Sequence, residues 1–124
     1  MNKQIFLLIG SLIFIAQSCY YDNREELFQY IQQQECNLTE ATYTANIAPI
    51  LSSNCIRCHN ANRQDGNVNL EGFNQVKPYA DNGKLYGTIN HDPGYALMPT
   101  DGIKIPFCEI EQVRLWVESG AQNN

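Results

Sequence analysis

The chain has 124 residues, room for one domain and not for two. Eight Lys and Arg stand against thirteen Asp and Glu, a formal charge of −5; the basic surface that a phosphate backbone requires is missing, so no nucleic-acid partner is expected. With 44% hydrophobic and 10% aromatic residues, wholesale disorder is excluded as well, and the five Cys, two His and two Met become the informative residues.

Lys3 is the only charge before an apolar run from Ile5 to Ala16. That run is shorter than the ~20 residues a membrane-spanning helix needs, and a cationic start followed by a short apolar stretch is the form of a secretory signal, here residues 1–18. The run ends in Ala16-Gln17-Ser18-Cys19. This resembles the lipobox of bacterial lipoproteins, with Ala16 where a larger aliphatic residue is usual. The resemblance implies cleavage before Cys19 and acylation of its sulfur and new amino group. Several acyl chains at ~0.8 kcal/mol per buried CH2 then form a stable membrane anchor. Plain secretion, with Cys19 merely near the cut, is the alternative. Removal of 1–18 takes away Lys3 and no acid, leaving seven basic and thirteen acidic side chains, a formal −6, and Met98 as the sole methionine. The exported compartment tolerates disulfides.

Residues 19–38 read as the lipidated Cys followed by a flexible tether, acidic through Asp22, Glu25, Glu26 and Glu35 and polar through Gln29 and Gln32 to Gln34. Leu27, Tyr30 and Ile31 have helical spacing and allow one short amphipathic turn. Acids soon after Cys19 also resemble surface-export signals of Bacteroidetes lipoproteins, so the expected location is the periplasmic side of a bacterial membrane or the cell surface.

The domain is expected over 39–124. Pro49 suits the first turn of a helix that continues through Ile50 and Leu51 toward Cys55. Residues 60–72, rich in Asn, Asp and Gly, form a loop in which Val68 and Leu70 alternate as if briefly extended. Short helices are expected over Phe73–Tyr79 and Leu85–Asn90, with turns at Asp81-Asn82-Gly83, Asp92-Pro93-Gly94 and Asp101-Gly102; the last two flank Met98. In the final helix Ile110, Val113, Trp116 and Val117 share one face. Glu109 and Glu111 lie near its positive end, and Gly120 stops it. Ile105-Pro106-Phe107 offers that helix no Ser, Thr, Asp or Asn cap. Without repeats or sustained alternation, the fold is expected to be mostly helical with long loops.

Cys55-Ile56-Arg57-Cys58-His59 is a C-x-x-C-H sequence, the arrangement of covalent haem attachment. Two thiols three positions apart meet the two vinyl groups on one side of the porphyrin, and the adjacent imidazole projects toward the iron. A closed zinc site would need four Cys or His ligands, and His91, Cys36 and Cys108 each stand alone. A redox dithiol of the thioredoxin kind would need a βαβ surround, which the pattern lacks. Met98 lies in a Gly- and Pro-rich loop long enough to cross the haem edge, and loops commonly present ligands. Gap-filling in a core is the alternative for a lone Met. His91, also beside a turn, is a rival ligand; otherwise its ring bonds locally or lies near a haem propionate. Setting aside Cys19, Cys55 and Cys58 leaves Cys36 and Cys108. An even remainder in an oxidising compartment suggests a disulfide, the alternative being two free, partly buried thiols.

Over about residues 39–121 the chain resembles the mono-haem class I cytochrome c family, and more closely small cytochrome c-like lipoproteins of the Bacteroidetes type. The resemblance rests on Tyr43 with Ile47 to Leu51, on Cys55 to His59, on Asn69-Leu70-Glu71-Gly72, on Leu97-Met98-Pro99 and on Trp116 to Ala121. It implies a small cytochrome c fold of three to five short helices and long loops around one covalent haem c, with His59 and Met98 as axial ligands. First and last helices come together in that family, which makes a Cys36–Cys108 bridge geometrically plausible. The function implied is electron carriage between redox protein partners rather than an enzymatic reaction. An acidic chain favours a basic docking patch on such partners. Ile50, Leu51, Leu70, Leu85, Ile89, Leu97, Trp116 and Val117 are expected to pack on the haem. The other expectations are an accessory haem subunit of a larger respiratory or oxidoreductase complex, and a peroxidase-like enzyme with labile Met98 ligation. No Arg neighbours His91 in sequence to support the latter.

Overall fold

A computed structural model describes residues 36–124; the export signal, Cys19 and tether residues 19–35 lie outside the described residues. Thr42 opens the first helical segment. Its hydroxyl accepts from the Ala45 N–H at 3.3 Å, a side-chain cap of the usual kind. The chain then makes one wide π-turn, Tyr43–Ile47, which leads without a break into α1, Ala48–Asn54. Pro49 stands in the first turn of α1, where its missing N–H leaves nothing unpaired. Sequence reasoning placed α1 but missed the π-turn, which no local propensity announces.

α2 runs over Phe73–Asp81, α3 over Lys84–Ile89 and α4 over Phe107–Glu118. Among the described residues these four helices and their connecting loops form the protein, and there is no strand. Val68 has extended dihedrals but pairs with nothing as a strand. α2 continues through Pro78, two residues beyond the expected end. The carbonyl deprived of its donor by Pro78 is that of Asn74, and both residues are exposed, which leaves that carbonyl open to solvent. Gly83, at φ +76, makes the turn between α2 and α3. α4 starts at Pro106 with no side-chain cap and carries Glu109 in its first turn. Gly120, at φ +97, ends it.

The buried face of α4 is Ile110, Val113 and Trp116. Trp116 is fully buried, its indole N–H donates to the Gln122 carbonyl at 2.8 Å, and its ring meets Tyr43 and Phe73 at centroid distances of 5.8 and 6.4 Å. Ile47 and Val76, equally buried, complete this centre. The C-terminus folds back over it: Thr44 donates to the Asn124 carbonyl through its N–H at 2.9 Å and its hydroxyl at 2.7 Å. Asn54 ties the end of α1 to the start of α4, donating to Glu109 Oε2 at 2.7 Å.

Of the residues expected to pack on a haem, Ile50, Leu51, Leu70, Leu85, Ile89 and Trp116 are buried and Val117 is half-buried. Leu97 is not: it is 52% exposed, on a loop with no helix to turn it inward. Val76 and Ala80 belong to the core without having been singled out, and Ile47 and Ile105, named in the sequence for other reasons, belong to it too.

Cys36 and Cys108 form a disulfide, with Cα atoms 5.6 Å apart across a sequence separation of 72. It fastens the segment before the π-turn to the first turn of α4. A loop of that length stabilises by roughly 4 kcal/mol in the chain-entropy model. The Cys36→Ser, Cys108→Ser variant is therefore expected to lose about 2–4 kcal/mol in urea unfolding. A loss below about 1 kcal/mol would mean that the Thr44–Asn124 closure already holds this end of the chain.

Candidate functional site

The C-x-x-C-H segment continues from α1 as tight turns. Cys55 N–H donates back to Leu51 O at 2.8 Å, and both Cys58 and His59 donate to Cys55 O, at 3.1 and 3.0 Å. The long loop then returns onto it, as Asp65 N–H reaches Cys58 O at 3.0 Å and Leu70 N–H reaches His59 O at 2.8 Å. Asn60 braces the bend, its side-chain oxygen accepting from the N–H groups of Asn62 and Arg63. The two thiols are therefore held by backbone pairing on both sides of the motif. Both are free and half-buried. Burial, and after it the Glu109 carboxylate, pushes the Cys55 thiol up to about 11, so it is neutral at pH 7. The His59 Nδ1 is buried and has no hydrogen-bond partner among the described residues.

Met98 is reached from the other side. After α3 the chain turns at His91, and Asp92 N–H donates to Gly87 O at 2.9 Å. Tyr95 lies against α3 at Gly87, where an added Cβ would stand 2.7 Å from three ring carbons, so only glycine admits the ring. Met98 N–H donates to Thr88 O at 3.2 Å, and the Met98 carbonyl accepts from His91 Nε2 at 3.1 Å.

Between these two arms lies a cavity of about 770 Å³ with a mostly apolar wall. Cys55, Cys58, His59 and Met98 all line it. Val68, Leu70, Leu85, Ile89 and Ile105 supply aliphatic wall, while Ile50, Leu51, Trp116 and Val117 pack behind it in the protein core and do not line it. The volume lies within the roughly 300–1,000 Å³ of small-molecule and cofactor sites. Arg57, Arg63 and Lys84 also border the cavity, with Asp65 and Asp101. Arg63 is paired with Asp65 at 2.8 Å, whereas Arg57 and Lys84 are exposed and in no ion pair among the described residues.

His91 does not line the cavity, and neither does Cys36 or Cys108. Among the described residues no group of three or more His, Cys, Asp or Glu gathers as a metal site; a pairing of one imidazole with one thioether is a different donor set. A second, shallow groove of about 420 Å³ is lined by Gln64, Asn67, Asn69 and Gln75 among others and carries no charged side chain. Thr88 and Tyr95, which hold the Met98 loop on α3, escaped the sequence reasoning. The small residue Gly87 inside a short apolar helix was the one available hint of a close approach.

Comparison with family models, curated proteins and solved structures returns no match. Among the described residues no helix is long and apolar enough to cross a membrane.

Proposed function

We propose that the protein is an exported, lipid-anchored c-type cytochrome that carries single electrons between redox partners. The observation that carries this is the convergence of Cys55, Cys58, His59 and Met98 on one mostly apolar cavity of about 770 Å³. Residues far apart in sequence supply two thiols, an imidazole and a thioether to the same space, in the chemistry that a haem c requires. Both thiols are free and half-buried at the cavity wall, as thioether formation requires, and His59 Nδ1 has no hydrogen-bond partner among the described residues.

In this assignment Cys55 and Cys58 would hold the haem covalently, and His59 and Met98 would supply ligands to its iron. When bound, haem supplies one-electron cycling between ferric and ferrous iron. With His59 and Met98 both bound to the iron, no position would be left for dioxygen or peroxide, which favours electron carriage over peroxidase chemistry. The soft thioether of Met98 and the aliphatic wall both favour the ferrous state and raise the potential. Arg57 and Lys84 offer cations for the carboxylates at the edge of the group. The fold this implies is a small cytochrome c fold, and the acidic chain favours a basic docking patch on its partner. Acylation at Cys19 would confine these encounters to a membrane surface and raise the effective concentration.

The test is an absorption spectrum of the exported protein, matured with haem-attachment machinery, in both redox states, together with its intact mass. Covalent haem and the weak long-wavelength ferric sulfur-to-iron band are expected. Colourless protein, or protein carrying zinc in place of iron, overturns the assignment.

A further inference from the structure

We propose that His91 is a positioning residue for Met98, tethering the ligand loop through the Met98 carbonyl; this rests on the haem assignment above. Both backbone groups of Met98 are held: its N–H by Thr88 O at 3.2 Å and its carbonyl by His91 Nε2 at 3.1 Å. A carbonyl only accepts, so Nε2 carries the proton in this bond. The imidazole is therefore committed to the loop, and it lies outside the cavity lining.

The anchor point is itself rigid. His91 follows the last residue of α3 by two and sits at φ +58, the left-handed conformation that commonly stops a helix and that His tolerates better than most side chains. Its neighbours are fixed on both sides, Asn90 donating to Asp92 Oδ1 at 2.7 Å and Asp92 N–H to Gly87 O at 2.9 Å. Beyond the Thr88 bond and the Tyr95 ring on Gly87, the loop it holds has little support: Pro93 to Leu97 and Thr100 to Lys104 are all exposed. Methionine adds three rotatable bonds of its own. A thioether that is a weak ligand on a flexible stem gains most from a backbone held in place beforehand. Few hydrogen bonds perform that task here, and His91 contributes the only side-chain one to Met98 among the described residues.

Two variants of the full matured chain separate the tether from the turn. His91→Asn keeps tolerance of the left-handed backbone but is too short to reach the carbonyl. His91→Gln restores an amide N–H at about the reach of Nε2. Added imidazole competes with Met98 for the iron, and its apparent affinity reports how firmly the thioether is held. One hydrogen bond of ordinary strength predicts roughly three- to tenfold tighter imidazole binding in His91→Asn. The exchange rate of the Met98 amide should rise by a similar factor, a readout that does not depend on the iron. His91→Gln should stay within about twofold of the parent on both. Parent protein with the sulfur-to-iron band and His91→Asn unchanged on both measures would overturn the positioning role and leave the haem assignment standing. A parent spectrum of two nitrogen ligands, lost in His91→Asn, would make His91 the ligand and overturn it also. A colourless parent would remove the haem assignment and the positioning role together. Should His91→Asn fail to fold, His91→Gln decides: a tenfold rise in imidazole affinity there counts against the tether.

Discussion

Replacing Cys55 and Cys58 together by Ala is expected to abolish covalent haem and, with it, the cooperative melt of the domain. On the proposed haem assignment the first effect follows from chemistry: without the two sulfurs nothing would stitch the macrocycle to the chain, and any haem retained through His59 and Met98 would become extractable by acidified solvent. The second follows from volume. A cavity of about 770 Å³ with a mostly apolar wall lies between the motif, α3 and the Met98 loop. Whatever part of it closes off from water and stays unfilled costs roughly 24 cal/mol per Å³. If even a quarter of it stayed unfilled the cost would be about 4–5 kcal/mol. A domain of this size has only about 4–13 kcal/mol of stability in total. Far-UV circular dichroism should show a melting temperature lower by more than about 20 °C, or no sharp transition. The aromatic centre around Trp116 and the Cys36–Cys108 bridge work against complete collapse, so helix near α1 and α4 is the part expected to persist. A melt within a few degrees of the parent would show that the haem is not part of the core.

Met98→Ala is the second large effect. Its expected signature is loss of the long-wavelength ferric band, with a fall in potential on the order of 0.1–0.3 V out of the roughly 0.8 V that axial ligation spans. Alanine keeps the backbone N–H to Thr88 and the carbonyl facing His91, so the loop should remain in place while the thioether is withdrawn. The altered spectrum then reports ligation rather than misfolding. An unchanged band and potential would exclude Met98 as the ligand. The two variants are complementary: one removes the attachment and tests the core, the other leaves the attachment and tests the iron.

Much of this was visible in the amino-acid order. α4 could be read because Ile110, Val113 and Trp116 repeat at helical spacing, and Pro49 announced α1 by the one position where its missing N–H is harmless. Cys55, Cys58 and His59 lie within one five-residue stretch, so their spacing is a property of the chain itself and needs no fold to be recognised. Leu97 was misjudged for the opposite reason. Nothing local distinguishes an apolar residue on a core-facing turn from one on an outward-facing turn, and its 52% exposure is decided by where the loop lies on α3.

Composition and local order alone determined a mostly helical chain, a C-x-x-C-H sequence and Met98, the single methionine among the described residues. Tertiary structure alone decided that Met98 shares a cavity with His59, that His91 is spent on the Met98 carbonyl, and that Ile50, Leu51 and Trp116 form a core behind the cavity and not its wall. The physical reason is range. Helix periodicity and a C-x-x-C-H spacing arise from torsions within a few residues, whereas the meeting of position 59 with position 98 depends on how α3 packs and on which carbonyls the intervening loop finds.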